Sequence, residues 1–250
     1  MSFPLERLRL TIAYDGTGFA GWQSQPNRNG VQDHLEAAFQ TILGQKVRVH
    51  GSGRTDAGVH ALGQVAHVDV LAGKFPPRVW CLALNANLPA DVRILGCRRV
   101  SAEFHARFFA QGKMYRYRIW NNEIFHPLEV GRAWHIPQRL ELDRLTACAT
   151  LFSGEHDFAS FAANRGTPAE TTVRTIHEIK VKRVGPAVSL EFSGDGFLYR
   201  MVRMITGSLV QVGLGRRDES WLEEFLKSPG KRKTNHSAPA EGLYLVRVLY

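Results

Sequence analysis

Two kinds of hydrophobic spacing alternate along this chain, and they do so twice in nearly the same order. In LRLTIAY (8–14), Leu8, Leu10, Ile12 and Tyr14 take every second position, which gives a strand one apolar face. In VQDHLEAAFQTIL (31–43), Val31, Leu35, Phe39 and Ile42 recur at the steps of a helical stripe. KVRVH (46–50) and GQVAHVDV (63–70) read as strands, PPRVWCLALN (76–85) as a helix opened by proline, and VRILGCRRV (92–100) as a strand. The first hundred residues therefore spell βαββαβ.

The pattern then restarts. KMYRYRIWN (113–121) is a strand and LELDRLTACATLF (140–152) a helix with Leu142, Leu145, Ala149 and Phe152 inward. A loop from Ser153 to Thr172 leads to a hairpin, VRTIHEIKVKRV with AVSLEFSG. FLYRMVRMITGSLVQVG (197–213) and ESWLEEFLK (219–227) are helices, and GLYLVRVLY closes the chain as a strand. This order predicts an α+β fold of two ferredoxin-like halves, 1–105 and 106–250, with mainly antiparallel sheets and a central cleft. The basic segment KSPGKRKTNHSAPAEG (227–242) reads as a mobile or phosphate-facing loop.

Composition narrows the partner. Lys and Arg number 32 against 23 Asp and Glu, a net charge of +9 that favours polyanions. In RFFAQGKMYRYRIW (107–120) arginines mingle with aromatics, as on a surface that grips phosphate and stacks bases. Cys81, Cys97 and Cys148 are widely separated, with neither disulfide-framework nor zinc spacing, so no metal is expected. No run of eighteen apolar residues occurs, and MSFPLERLRL lacks the apolar core of a secretory signal. A cytoplasmic protein with no membrane partner is the expectation.

GSGRTDAGVHALGQ (51–64) concentrates the chemistry. Asp56 lies two residues after Arg54, with Gly51, Gly53 and Gly58 nearby. An adjacent guanidinium keeps a carboxylate ionised, and an ionised carboxylate aimed at a sugar is a competent nucleophile. The same residues also suit a turn-capping aspartate paired with Arg54, and spacing leaves both readings open. Tyr115 and Tyr117 share one face of their strand with Ile119, while Arg116, Arg118 and Trp120 share the other. Tyr115 is the better placed to stack on a base, and Tyr117 reads as a core residue with a bonded hydroxyl. Arg203 falls on the flank of the apolar stripe of its helix, where it needs a carboxylate partner, and Arg200 falls on the polar side.

Taken with YDGTGFAGWQSQ (14–25), FHARF (104–108), KMYRYR (113–118), GEHDFASF (154–161), DGFLYRMVRMITGSL (195–209) and APAEGLYL (238–245), the GRTDAGVHALGQ stretch resembles the TruA-type tRNA pseudouridine synthases. The likeness spans nearly the whole chain. One departure is Ser237 where a threonine is expected before APA. The resemblance implies isomerisation of uridine to pseudouridine at tRNA positions 38, 39 and 40, in the anticodon stem-loop, by a homodimer. It makes Asp56 the catalytic aspartate, Tyr115 the residue that stacks on the base with a possible part in proton transfer, and Arg203 the group that orients Asp56. It assigns Arg54, Gly53, Thr55 and Gly58 to substrate binding, together with His60, Arg107 and Leu245.

The reaction breaks the N1 to C1′ bond, turns the uracil and joins C5 to C1′. No electrons or phosphates are exchanged, so the chemistry calls for no cofactor. Asp56 could attack C1′, abstract a sugar proton to give a glycal, or add at uracil C6. Two other classes fit less well. An RNA recognition motif needs an aromatic RNP1 strand, and a retaining glycosidase needs a second carboxylate about 5 to 5.5 Å from the first; neither stands out.

Overall fold

The computed structural model of the chain describes residues 4–26, 28–164 and 170–250. Part of the loop expected between Ser153 and Thr172, namely 165–169, lies outside the described residues. In chain order the elements are β1 (Leu5–Tyr14), α1 (Val31–Leu43), β2 (His50–Gly51), β3 (His60–Leu71), α2 (Pro77–Asn87) and β4 (Val92–Val100). There follow β5 (Gly112–Trp120), β6 (Trp134–His135), α3 (Leu142–Ala149), β7 (Gly154–Asp157), β8 (Val173–Val184), β9 (Ala187–Gly194), α4 (Met201–Gly213), α5 (Glu219–Lys227) and β10 (Leu243–Leu249). The class is α+β. The chain divides into two compact units, Met1–Gln111 with Leu245–Tyr250, and Gly112–Tyr244.

In the first unit the strands run in the order β4-β1-β3-β10, β2 also pairs with β3, and the β1–β4, β1–β3 and β2–β3 pairings are antiparallel. This is the ferredoxin-like order predicted from the alternating periods. Leu8, Leu10 and Ile12 are fully buried, as are Phe39 of α1 and Trp80 and Leu84 of α2. The alternate residues Arg7, Arg9 and Thr11 look out from the opposite face of β1.

The strand expected at 46–50 is reduced to His50–Gly51, and the reason is local. Glu36 of α1 accepts the Val49 N–H at 3.0 Å and Gln32 donates to the Val49 carbonyl at 2.9 Å, so helix side chains satisfy backbone groups a ladder would have used.

In the second unit β5 pairs antiparallel with β9, β9 with β8 and β8 with β7, while β6 runs parallel to β5. Tyr117 lies opposite Leu190 and Ile119 opposite Val188, all within the core. Helix α4 begins at Met201 rather than 197, because Arg200 sits at φ 60° in the left-handed region and cannot continue a right-handed turn. The 227–242 loop is tied down. Thr234 is buried, donates its N–H to the Ser160 carbonyl and shares a hydroxyl bond with Ser208 of α4. Gly207 of α4 explains its own presence, since a Cβ there would collide with the His236 carbonyl.

A bidentate pair joins Arg7 to its cross-strand neighbour Asp69, both bonds 2.7 Å long, and Arg7 also donates to the carbonyls of Ala102 and Phe104. The Arg7 bond holds the Asp69 carboxyl below its ordinary value of 3.8. A depressed carboxylate stabilises the fold above its unfolded pKa, and that contribution is lost as pH falls through the folded value. Denaturant titrations of Asp69→Asn should therefore show a stability deficit at pH 7 that closes on acidification below about pH 4. A deficit unchanged by acid would remove the charge from the explanation.

Candidate active site

Asp56 is the first residue of a β-turn closed by the Val59 N–H bonding to the Asp56 carbonyl at 3.2 Å. Gly58 has φ 76° at the third position, and among the described non-glycine residues only Arg28 and Arg200 have positive φ. That is a type II turn, which calls for glycine at this position and so accounts for the spacing of Asp56 and Gly58. The loop is clamped from several sides. The fully buried Tyr14 hydroxyl bonds the Thr55 hydroxyl at 2.8 Å, and burial pushes its pKa up to about 12. Gln64 of β3 donates to the Gly53 carbonyl at 3.0 Å while its oxygen accepts from the Ser52 hydroxyl at 2.7 Å.

The DGTGFAGW stretch (15–22) forms the other jaw. Trp22 N–H donates to the Thr55 carbonyl at 3.1 Å, and Gly58 N–H to the Phe19 carbonyl at 3.4 Å. A Cβ on Gly21, which has φ 96°, would lie 2.6 Å from the Thr55 carbonyl oxygen and 3.0 Å from the Asp56 carbonyl carbon. A Cβ on Gly16 would strike the Val59 carbonyl. The two motifs are thus two sides of one backbone-to-backbone contact. His60, buried at the start of β3, accepts the Gly16 N–H on Nδ1 at 3.0 Å with the Asp15 carboxylate 3.2 Å away, so it fastens one jaw to the other. Asp56 is half-buried, Thr55 buried, and Arg54 exposed.

In the second unit, Tyr115 is buried edge-on against Phe197, with ring centroids 5.2 Å apart. Tyr117 donates to the Pro239 carbonyl at 2.8 Å, and burial raises its pKa, which is the core role expected of it. Gly242 presses on that ring, since a Cβ there would lie 2.6 Å from Tyr117 Cζ. Arg203, half-buried on α4, donates from Nε to the Ala238 carbonyl at 2.7 Å, while Ala238 N–H returns a bond to the Arg203 carbonyl at 3.0 Å. The APAEG segment and the Arg203 turn therefore hold each other. Leu245, assigned to the first unit, is buried, whereas Arg107 is exposed with its guanidinium 5.7 Å from the Phe108 ring centroid.

One cluster escaped the sequence reading. His50, His67 and His105 bring ring nitrogens within 4.8 Å of one another, with His50 stacked on His67 at 4.9 Å. Their separation in sequence hides them, and only the register of β2 on β3, which pairs His50 with His67, reveals the group. His67 Nδ1 accepts the Ala106 N–H at 3.1 Å, and His105 Nδ1 accepts those of Arg107 and Phe108. Each ring then carries its proton on Nε2, so it offers a donor there rather than a metal-binding lone pair. Burial and the neighbouring cations hold His67 neutral, lowering its pKa to about 4.

The chain is similar to known proteins over most of its length. A family model described as tRNA pseudouridine synthase matches residues 10–108 and 148–250. A tRNA pseudouridine synthase A of Acetivibrio thermocellus is 42% identical over 98% of this chain and 100% of its own length. Proteins of the same name from Akkermansia muciniphila and Maridesulfovibrio salexigens are 44% and 45% identical, each over 98% of this chain and over 96% and 91% of their own lengths. With both halves matched by the family model and full-length relatives above two-fifths identity, the chain belongs to the tRNA pseudouridine synthase family.

Proposed function

We propose that this protein isomerises uridine to pseudouridine at positions 38, 39 and 40 of the tRNA anticodon stem-loop, with Asp56 as the nucleophile or base at the sugar. The observation that carries the reading is the clamped type II turn, in which glycine contacts and buried hydroxyls fix a half-buried carboxylate at a loop tip. A group so held loses little freedom when it reacts, which is where positioning lowers a barrier. Tyr115 stacks on the flipped base and Arg203 orients Asp56. Arg54, Gly53, Thr55, Gly58, His60, Arg107 and Leu245 complete the substrate contacts. A stem base must leave its stack to react, at a cost of a few kcal/mol that stacking and hydrogen bonds in the pocket offset. The protein works as a homodimer in the cytoplasm, without a cofactor; no described helix is long and apolar enough to cross a membrane.

The direct test is to incubate the protein with unmodified tRNA in the absence of cofactors and map pseudouridine along the RNA. Product confined to positions 38 to 40 supports the reading; product elsewhere, or none, overturns it. Light scattering of the purified protein checks the dimer, and a monomeric mass rejects it. Tyr115→Phe keeps the ring and its edge contact with Phe197 but removes the hydroxyl. Its kcat should fall on the order of 10²-fold with KM little changed, the scale of a lost proton-transfer group. An unchanged kcat would leave Tyr115 with stacking alone.

A further inference from the structure

On the face of the first unit's sheet away from α1 and α2, an open cavity of about 500 Å³ is lined by Arg9, Arg98, Arg247 and Tyr250, with Thr11 among the strand residues at its floor. No Asp or Glu side chain is among its lining residues. Arg9 and Arg98 are directly paired across β1 and β4, and Arg9 is also paired with His67 on β3, which in turn is paired with His50 on β2. Four basic residues thus form one row across four strands. Like charges directly opposite in a sheet destabilise it.

Neighbouring arginines show how the chain usually meets this problem. Arg7 pairs with Asp69, and Arg99 with Glu6 at 2.6 Å. Among the described residues, Arg9, Arg98 and Arg247 have no carboxylate within ion-pairing distance. Arg9 is instead held in place by aromatic rings, its guanidinium 4.2 Å from the Tyr250 ring centroid and 5.6 Å from that of Phe104. Burial and the charge of Arg98 both lower its pKa, the mark of a cation kept among cations. Tyr250 is fixed by a 2.6 Å bond from its hydroxyl to the Ala106 carbonyl. The cavity is thus a cationic cup whose walls are held in place by these contacts.

Position selects the kind of anion. Arg9 lies beside His67, seven residues along β3 from His60, where the Asp56 loop enters the strand. At about 3.4 Å per residue that is roughly 24 Å, too far for a single nucleotide seated at Asp56 but within reach of an extended polyanion. Resting on the tRNA-modifying reading above, we propose that the Arg9, Arg98 and Arg247 cavity is a phosphate site that takes the tRNA backbone at a distance from the reacting uridine.

Arg98 and Arg247 are exposed, so Arg98→Gln/Arg247→Gln tests the site without disturbing the core. Filter binding of unmodified tRNA across a salt series should show an affinity on the order of tenfold weaker near physiological salt, with the slope of log K against log[salt] shallower by about 1 to 2. The doubly lysine-substituted variant should restore the slope, and kcat at saturating tRNA should stay unchanged. Equal slopes for the wild type and the glutamine variant overturn the proposal. If they coincide while millimolar pyrophosphate raises the wild-type melting temperature but not the variant's, the cup takes a free phosphate compound and the RNA assignment is overturned. Because binding is read without turnover, a wild type that forms no pseudouridine would count against the isomerase reading alone.

Discussion

Asp56→Asn is expected to abolish pseudouridine formation and to leave tRNA binding nearly intact. Asparagine preserves the size of the side chain and suits the first position of a β-turn, so the type II turn, Gly58 and the Tyr14–Thr55 bond survive. What disappears is the anion, and with it any route that begins by attack or proton abstraction at the sugar. Loss of the central reacting group of a catalytic set lowers kcat on the order of 10⁴-fold or more. Phosphate contacts supply most of the affinity for a nucleic acid, so Kd for tRNA should move less than about threefold. Single-turnover conversion of unmodified tRNA, measured beside filter binding, reads both quantities. A variant within tenfold of wild-type turnover would take Asp56 out of the chemistry.

The second large effect is expected at Gly21, a residue that carries no chemistry. Alanine there meets two obstacles. Its backbone stands at φ 96°, outside the region an L side chain enters readily, and its Cβ would lie 2.6 Å from the Thr55 carbonyl oxygen. Strained backbone costs roughly 1–3 kcal/mol, and forced overpacking a similar amount, so Gly21→Ala should lose on the order of 3 kcal/mol. For a protein of this size the melting temperature then falls by about 6–12 °C. Because the clash pushes on the backbone beside Asp56, turnover should fall by at least about 10²-fold even below the transition, as a displacement near 1 Å does to a reacting group. Alanine at Gly44 offers the control: it too has positive φ, 74°, but a Cβ there meets nothing within 4 Å, so stability drops without the activity. Equal activity losses in both variants would mean that the loop contact has no special role.

Periodicity carried far into this fold. Helices α1 and α5 and strand β4 lie where the spacing puts them, because each buries one apolar face on a regular element. It failed where side chains took over work that backbone usually does, as with Glu36 and Gln32 on Val49, or where one residue left the regular region, as with Arg200 before α4. Strand β7 was hidden in GEHD, a short charged run with no alternation to mark it. The Asp56 stretch was visible as an unusual cluster, but its chemistry was ambiguous until the motifs along the chain were taken together. The contact of Gly16 and Gly21 with the 55–59 backbone is invisible in spacing, since it joins separate loops through atoms that every residue possesses. Likewise the row of Arg98, Arg9, His67 and His50 is a property of register, which no single segment encodes.

The division of the chain bears on its synthesis. Leu245–Tyr250 belong to the unit formed by the first 111 residues, where the Gln111 N–H bonds the Leu249 carbonyl and Tyr250 covers Arg9. A ribosome therefore releases the first unit short of a strand and must translate roughly 130 further residues, on the order of ten seconds at about 5–20 residues per second, before the gap is filled. During that interval β3 presents an open edge, a template for pairing with the wrong chain. Birth of this enzyme thus includes a vulnerable wait, and the phosphate cup, walled partly by residues 247–250, comes into being only when that wait is over.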